Sequence, residues 1–367
     1  MRLFDTLDFV FRSVVAWLTR ARTPETWIFK GAAVVLVAVS GINWAFKYTG
    51  RINGADAVIE VGTSGGGLAA SILSGLTVFC AFLMALSVVW AIIRYRTEQR
   101  RLSRKKVYVV EARGLRDDNG APLEEAVPKA VEGARTGYVL DVRQRKDGSI
   151  VEPEDLLEPV QAMKTWLHQA QRNLDRADLT TVFGGLAAVP VTFLAGLLID
   201  DEGSVWVMDW DRTRNAWRSL DGVDDGLRFV TAGLDQVNGA TEAVLAVSAS
   251  YQIKAQDLAT TFSCPVVTMS LPDVNSSHWS HTKQSELADQ VFATVKALDA
   301  KGVEQIHLVL AAQSSIVFNL GRRYDKRNLP KVAVYQYERA ENPRYPWAIQ
   351  MPVAGVRTAS VLRRPRE

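Results

Sequence analysis

The densest gathering of side chains able to do chemistry is the stretch PDVNSSHWSHTK, which brings together His278, Trp279, His281 and Lys283. Two imidazoles so close could begin a zinc site, but no second ligand pair lies nearby and no cysteine is available, so no metal is expected. The mixture of indole, imidazoles and ammonium at the mouth of a helix resembles a ligand clamp more than a core segment. A second pattern, Asp209-Trp210-Asp211, imitates the metal-binding carboxylate pair of sugar-nucleotide transferases. Its counterpart later in the chain reads Gln336-Tyr337-Glu338, and alternate residues of a strand share a face, so structural repetition accounts for it better. His307 falls inside a strand pattern and is expected to be a packed side chain. There is no Walker motif, nucleophile elbow or convincing triad. The glycines of GTSGGG enter an apolar run and cannot cradle a cytoplasmic phosphate. The expectation is a chain without catalysis and without a cofactor.

These residues need a scaffold, and the apolar pattern beyond residue 106 supplies one. Strands are predicted at 107–112, 138–142, 180–183 and 205–210, with helices at 154–176 and 191–199. The order then returns: strands at 243–248, 265–270, 305–310 and 332–337, with helices at 285–300 and 316–324. Aligning the two series sets Phe193–Gly196 on Phe318–Gly321, and residues 205–212 on 332–339. Strands alternating with helices imply a largely parallel sheet covered on both faces. The duplication predicts two Rossmann-like halves related by a pseudo-two-fold axis. Ligand loops gather at the carboxyl ends of such strands, so the pair could share one pocket suited to a large, roughly symmetric ligand.

Ahead of this domain the sequence changes character. From residue 27 to 46 the only charge is Lys30, and from 65 to 93 there is none; roughly 20 apolar residues suffice to cross a hydrocarbon core. Two transmembrane helices are therefore expected, at about 27–47 and 67–93, with a short extracytoplasmic loop between them. Trp27, Trp44, Tyr48 and Trp90 fall near the predicted boundaries, where amphipathic rings settle. Arginines precede the first span and follow the second, which places both termini in the cytoplasm. Residues 3–18 carry apolar side chains at helical spacing and could lie in the membrane surface or pack on the soluble domain. Gly67, Ser71 and Gly75 form a small-residue stripe that serves another helix or simply the first span. The full partition reads 1–25 amphipathic segment, 26–94 membrane hairpin, 95–106 basic linker, 107–356 soluble domain with halves at 107–235 and 240–356, and 357–367 basic tail.

The net charge of +3 over 367 residues is too small for a partner that is a nucleic acid polymer, and the basic clusters beside the membrane and in the tail suit lipid headgroups better. With Cys80 and Cys264 the only cysteines, no disulfide framework is expected.

The pattern over residues 107–356, best matched in IHLVLAAQSSIVFNLGRRYDKRNLPKVAVYQYERAENPRYPWAIQMP, resembles the SAVED domain. This is a sensor of two fused CARF-like halves found in CBASS antiphage effectors. Two membrane helices ahead of it resemble the transmembrane-SAVED subgroup. The resemblance implies an α/β fold of two CARF-like halves that binds a cyclic oligonucleotide second messenger, commonly a cyclic trinucleotide. It further implies a homo-oligomer assembled head to tail, and helices that disrupt the bacterial inner membrane in abortive infection. The long insertion at 113–137 departs from the pattern.

A cyclic phosphodiester needs N–H groups or hydroxyls at helix N-termini, positive charge and flat surfaces for bases. Gly184 and Gly185 are expected where a strand ends before a helix, with Gln313, Ser314 and Ser315 in the equivalent turn of the second half. Ser248, Ser250 and Tyr251 follow the first strand of that half, Tyr251 being the better stacking residue, and Arg113 follows the first strand of the first half. His278, Trp279, His281 and Lys283 complete the expected ligand-binding set. Two rival readings stay open: a membrane-anchored enzyme acting on a nucleotide or nucleotide sugar with metal at Asp209 and Asp211, and a passive two-span scaffold.

Overall fold

The computed structural model describes residues 24–42, 46–52, 55–61, 68–114, 121–143, 145–146, 149–199, 203–353, 355–356 and 358–364. The expected amphipathic segment at 3–18, and Gly67, lie outside them. The chain divides into two compact units, Met1–Leu102 and Ser103–Glu367.

In the first unit α1 runs Pro24–Ile42, and β1 (Phe46–Ile52) pairs antiparallel with β2 (Ala55–Val61). The stretch expected to form a short extracytoplasmic loop thus holds a hairpin. The long helix α2 follows at Leu68–Arg104. Its Val78, Phe82 and Ile93 are 57–69% exposed, which a helix in a water-soluble core would not leave so, and by length and composition it can cross a membrane. At α1's first turn both carboxylate oxygens of Glu25 accept from one Arg94 nitrogen, at 3.0 and 3.1 Å. A Cβ on Gly75 would meet nothing within 4 Å among the described residues.

The second unit contains two sheets. In the first half the elements are β3 (Lys106–Arg113), α3 (Leu123–Ala126), β4 (Ala134–Asp141), a small ribbon of β5 (Arg145–Lys146) and β6 (Ser149–Ile150), α4 (Leu157–Gln171), β7 (Leu179–Leu186), α5 (Val189–Ile199), β8 (Ser204–Asp211) and β9 (Ala216–Ser219). In the second half they are β10 (Val230–Ala232), β11 (Glu242–Ser248), α6 (Ala255–Ala259), β12 (Val266–Ser270), α7 (His281–Ala300), β13 (Gln305–Ala311), α8 (Ser314–Arg323), β14 (Lys331–Gln336), β15 (Trp347–Gln350) and β16 (Ser360–Arg363). The first sheet is ordered β4-β3-β7-β8-β9 and the second β10-β12-β11-β13-β14-β15-β16. Setting aside the outer strands β10 and β16, the two orders correspond strand for strand. In each, four parallel strands end on an antiparallel one, β9 or β15.

Two equivalent helices join the halves. Helix α5 is apolar all round and almost wholly buried, which is why its sequence shows no amphipathic stripe. It packs on α8 through glycines: a Cβ on Gly196 would come 2.3 Å from the Phe318 carbonyl oxygen, and one on Gly321 would come 2.1 Å from that of Phe193. Beside this crossing the Phe183 and Phe318 rings stack with centroids 3.8 Å apart, both fully buried. Burial of each such ring contributes roughly 1.5–3 kcal/mol.

The basic tail departs from its expected role. Arg363 pairs with Glu152 and Glu154, and the Arg364 guanidinium lies 5.0 Å from the Phe262 ring, so these two arginines close the sheet instead of meeting lipid. The helix expected at 154–176 is a 3-10 turn (Pro153–Leu156) followed by the shorter α4. His307 is buried, with Nδ1 3.0 Å from the Tyr335 hydroxyl and Nε2 3.1 Å from Glu242.

Candidate functional site

Helix α8 begins with N–H groups that no capping side chain of its own satisfies, since Gln313 at its N-cap makes no such bond. The acceptor comes from the other half: Asp209 Oδ2 on β8 takes the Ser315 N–H at 3.0 Å, while its Oδ1 takes the Trp210 N–H at 2.8 Å. A carboxylate at a helix N-terminus is also favoured by the helix dipole. The matching contact runs the other way, with the Val189 N–H that opens α5 donating to Gln336 Oε1 on β14 at 3.1 Å. Each half thus caps the other half's helix from the strand position that the sequence alignment equated.

Around Asp209 the second half closes in. His278 Nε2 lies 3.7 Å from Asp209 Oδ2, and burial holds the imidazole below its ordinary pKa against the pull of that carboxylate. Gln284 on α7 donates to the His278 carbonyl and to Ser315 Oγ, both at 2.8 Å, and accepts from Asn319 Nδ2 at 2.8 Å. The Trp279 carbonyl accepts from the Gly222 N–H at 2.7 Å, and the Arg218 guanidinium sits 4.7 Å from the Trp279 ring centroid. The loop Leu271–Ser280 is therefore fastened to the first half by its backbone and by its aromatic side chain.

Several expected site residues meet here. Ser250, Gln313 and Ser314 lie at the carboxyl ends of β11 and β13, and the Ser250 N–H donates to the Ala311 carbonyl at 2.9 Å. With His278 they carry buried side-chain polar atoms that have no hydrogen-bond partner among the described residues: Ser250 Oγ, Gln313 Oε1, Ser314 Oγ and His278 Nε2. Such atoms cost free energy unless something satisfies them, and their concentration on one edge makes it the candidate site. Tyr251, 57% exposed, stands over the same edge. Ser315 is buried and Ser248 Oγ accepts from the Ile253 N–H at 3.1 Å, so both organise the edge from below.

Other expected residues take structural roles. Lys283 is 1% exposed and its ammonium donates to Asp225 at 2.8 Å, Ser276 Oγ at 3.0 Å and the Ser277 carbonyl at 2.9 Å. All three protons are used, which leaves none for a ligand. Gly184 and Gly185 sit within β7, not in an open turn. A Cβ on Gly184 would press on Leu123 and Trp217, and one on Gly185 would lie 2.6 Å from Ala112 Cβ. Arg113 Nε donates to the buried Glu111 at 2.7 Å. His281 is exposed on the first turn of α7, behind the N-cap Ser280.

The carboxylates of the rival metal reading are also engaged. Besides the contacts of Asp209, Asp211 accepts from the Thr213 and Arg214 N–H groups at 2.9 and 3.1 Å. Asp209→Ala would leave two N–H groups without acceptors and is expected to cost about 2–3 kcal/mol, whereas Asp209→Asn, keeping an oxygen, should cost about 1 kcal/mol. Urea denaturation of the two variants checks this ordering; equal midpoints would mean that the cap contributes nothing.

Comparison with known proteins adds family information. A family described as the SAVED-fused 2TM effector domain matches residues 4–157. Another, described as the SMODS-associated and fused to various effectors sensor domain, matches residues 140–351. No curated protein matches. Solved structures that resemble the chain include the Cap4 SAVED/CARF-domain containing receptor of Acinetobacter baumannii with the cyclic trinucleotide 2'3'3'-cAAA, at 13% identity and TM-score 0.46, covering 75% of this chain and 59% of that one. The same receptor with 3'3'3'-cAAA shows 14% identity, TM-score 0.46 and coverages of 75% and 60%. The Moraxella osloensis receptor shows 13% identity, TM-score 0.42 and coverages of 74% and 58%. The chain thus spans about three-fifths of the length of the receptors it matches.

Proposed function

Because the chain belongs to the SAVED family of effector-fused sensor domains, here with a 2TM effector segment, we propose that it is a membrane effector switched by a cyclic oligonucleotide, most simply a cyclic trinucleotide. The observation that carries this reading is the edge where Ser250, Gln313, Ser314 and His278 hold buried polar atoms without a hydrogen-bond partner among the described residues, between halves that cap each other's helices. A ring of phosphodiesters offers acceptors to hydroxyls and bases to rings.

In this reading the sensor spans 107–356, with Ser250, Tyr251, His278, Trp279, Gln313 and Ser314 nearest the ligand, and it catalyses no reaction. The membrane part crosses the inner membrane twice with both termini in the cytoplasm. The Glu25–Arg94 pair supports this, since it ties the start of α1 to the end of the apolar run of α2. Ligand drives the switch only to the extent that it binds the assembled state more tightly. A heterologous contact between sensors that fails to close yields a filament, which crowds the attached helices and breaches the bilayer.

Calorimetry of the detergent-solubilised full chain against a panel of cyclic di- and trinucleotides tests the reading, followed by leakage from vesicles carrying the protein. Saturable binding of a cyclic oligonucleotide, with leakage only in its presence, is expected. Metal-dependent turnover abolished in Asp209→Asn would replace this reading with the enzyme.

A further inference from the structure

A cyclic oligonucleotide carries a negative charge on every phosphodiester, yet the cations that face the candidate edge are largely committed. Lys283 is saturated by its three acceptors. Arg113 is held by Glu111 at 2.7 Å, and Arg143 by Asp141 at 2.8 Å. Arg214 lies 3.6 Å from Asp211, and Arg218 is shared between Asp221 at 3.3 Å and the Trp279 ring. Arg212, which leaves the carboxyl end of β8 directly after Asp211, differs: it is exposed and, like Lys254 and Arg339 of the second half, its side chain has no hydrogen-bond or ion-pair partner among the described residues.

Two tyrosines of the second half stand on the same edge. Tyr251 follows β11 and Tyr337 follows β14, parallel strands separated only by β13, so both leave the sheet at its carboxyl side. They are 57% and 39% exposed, unusually open for large rings. Tyr337 is braced from behind by the buried Tyr345, whose ring meets it edge-on at 5.5 Å. The carboxyl end of β8 meets this edge, since Asp209, three residues before Arg212, accepts from the Ser315 N–H at 3.0 Å.

We propose that Arg212, Tyr251 and Tyr337 form a subsite that holds one base-and-phosphate unit of the ligand, the guanidinium on the phosphodiester and the phenol rings against the base. This rests on the cyclic-oligonucleotide reading and extends it to residues outside the expected clamp. The arrangement favours a planar, delocalised cation able to take a phosphate through two N–H groups. Stacking on tyrosine tolerates any base, so the subsite supplies affinity more than base choice.

The test uses the full chain in detergent, with 3'3'3' cyclic triadenylate and the tightest binder of the panel as probes, and measures dissociation constants from 50 to 300 mM salt. Tyr337→Leu and Tyr251→Leu are each expected to weaken binding about tenfold. Arg212→Gln should weaken it at low salt and flatten the plot of log Kd against log salt by about 0.7, the signature of one lost phosphate contact. Arg214→Gln, whose guanidinium is turned to Asp211, should leave the slope unchanged. All three side chains are exposed, so unaltered melting temperatures are expected and separate binding from folding. Unchanged affinity and slope in Arg212→Gln and Tyr337→Leu overturn the subsite while the functional reading stands. A wild-type chain that binds no cyclic oligonucleotide overturns both.

Discussion

Gly321→Leu, and independently Gly196→Leu, are expected to destabilise the sensor unit by about 3–5 kcal/mol, enough to abolish folding in a domain of ordinary stability. Each glycine faces the backbone of the opposite helix, and the Cβ alone would come 2.1 or 2.3 Å from a carbonyl oxygen. A carbonyl oxygen in a helix cannot swing aside as a long side chain can, so the helices must part. Parting them unstacks Phe183 from Phe318 at the centre of the core shared by both halves. Glycine costs a helix interior up to about 1 kcal/mol relative to alanine; here the close crossing offsets that cost twice over, once in each half. Gly203→Ala, where a Cβ meets nothing within 4 Å, should change stability by less than about 0.5 kcal/mol. Thermal unfolding of the full chain in detergent distinguishes these cases. Melting of both leucine variants within about 2 °C of the parent would show that the crossing is not tight.

The recurrence of Phe-x-x-Gly at 193–196 and 318–321 was visible in the sequence, but the close crossing that it makes was not. Strands β3, β7, β8, β11, β13 and β14 were legible too: buried parallel strands are apolar on both faces and stand out between charged turns. The short edge strands were not. Strand β10 is exposed throughout, and β16 is polar enough to read as a basic tail until Arg363 is seen on Glu152 and Glu154. The capping of α8 by Asp209 joins residues more than a hundred positions apart, and local sequence carries no trace of it beyond the missing cap at Gln313. Arg212 was overlooked because Asp211 to Asn215 reads as an ordinary polar turn. The contacts of Arg214 and Arg218 with Asp211 set it apart from its neighbours in that turn.

Lys283→Met should lower stability by about 2–3 kcal/mol, although methionine keeps most of the buried stem. The ammonium joins three separate pieces of chain: Asp225 in the first half, Ser276 and Ser277 in the clamp loop, and the first turn of α7 that carries it. Asp225 is about one-third exposed, so water can partly solvate it once its partner is gone, which keeps the loss below that for a fully buried pair. The effect should depend on pH in a definite direction. Burial pushes the Asp225 carboxyl up, but the hydrogen bond from Lys283 and the Leu227 N–H outweigh it and hold the group below its ordinary value. A carboxyl lowered in the folded state adds stability that is fully present above its unfolded pKa, about 3.9, and is lost as pH falls through the lower folded value. Lys283→Met removes much of that lowering, so the gap between parent and variant should be widest at neutral pH and narrow steadily on the acid side. Denaturation midpoints from pH 6.5 to 2.5 would trace it. Because the lysine fastens the loop that carries His278 and Trp279, ligand affinity should fall together with stability. A variant that loses affinity while keeping the parent's stability would put the ammonium on the ligand instead of on Asp225.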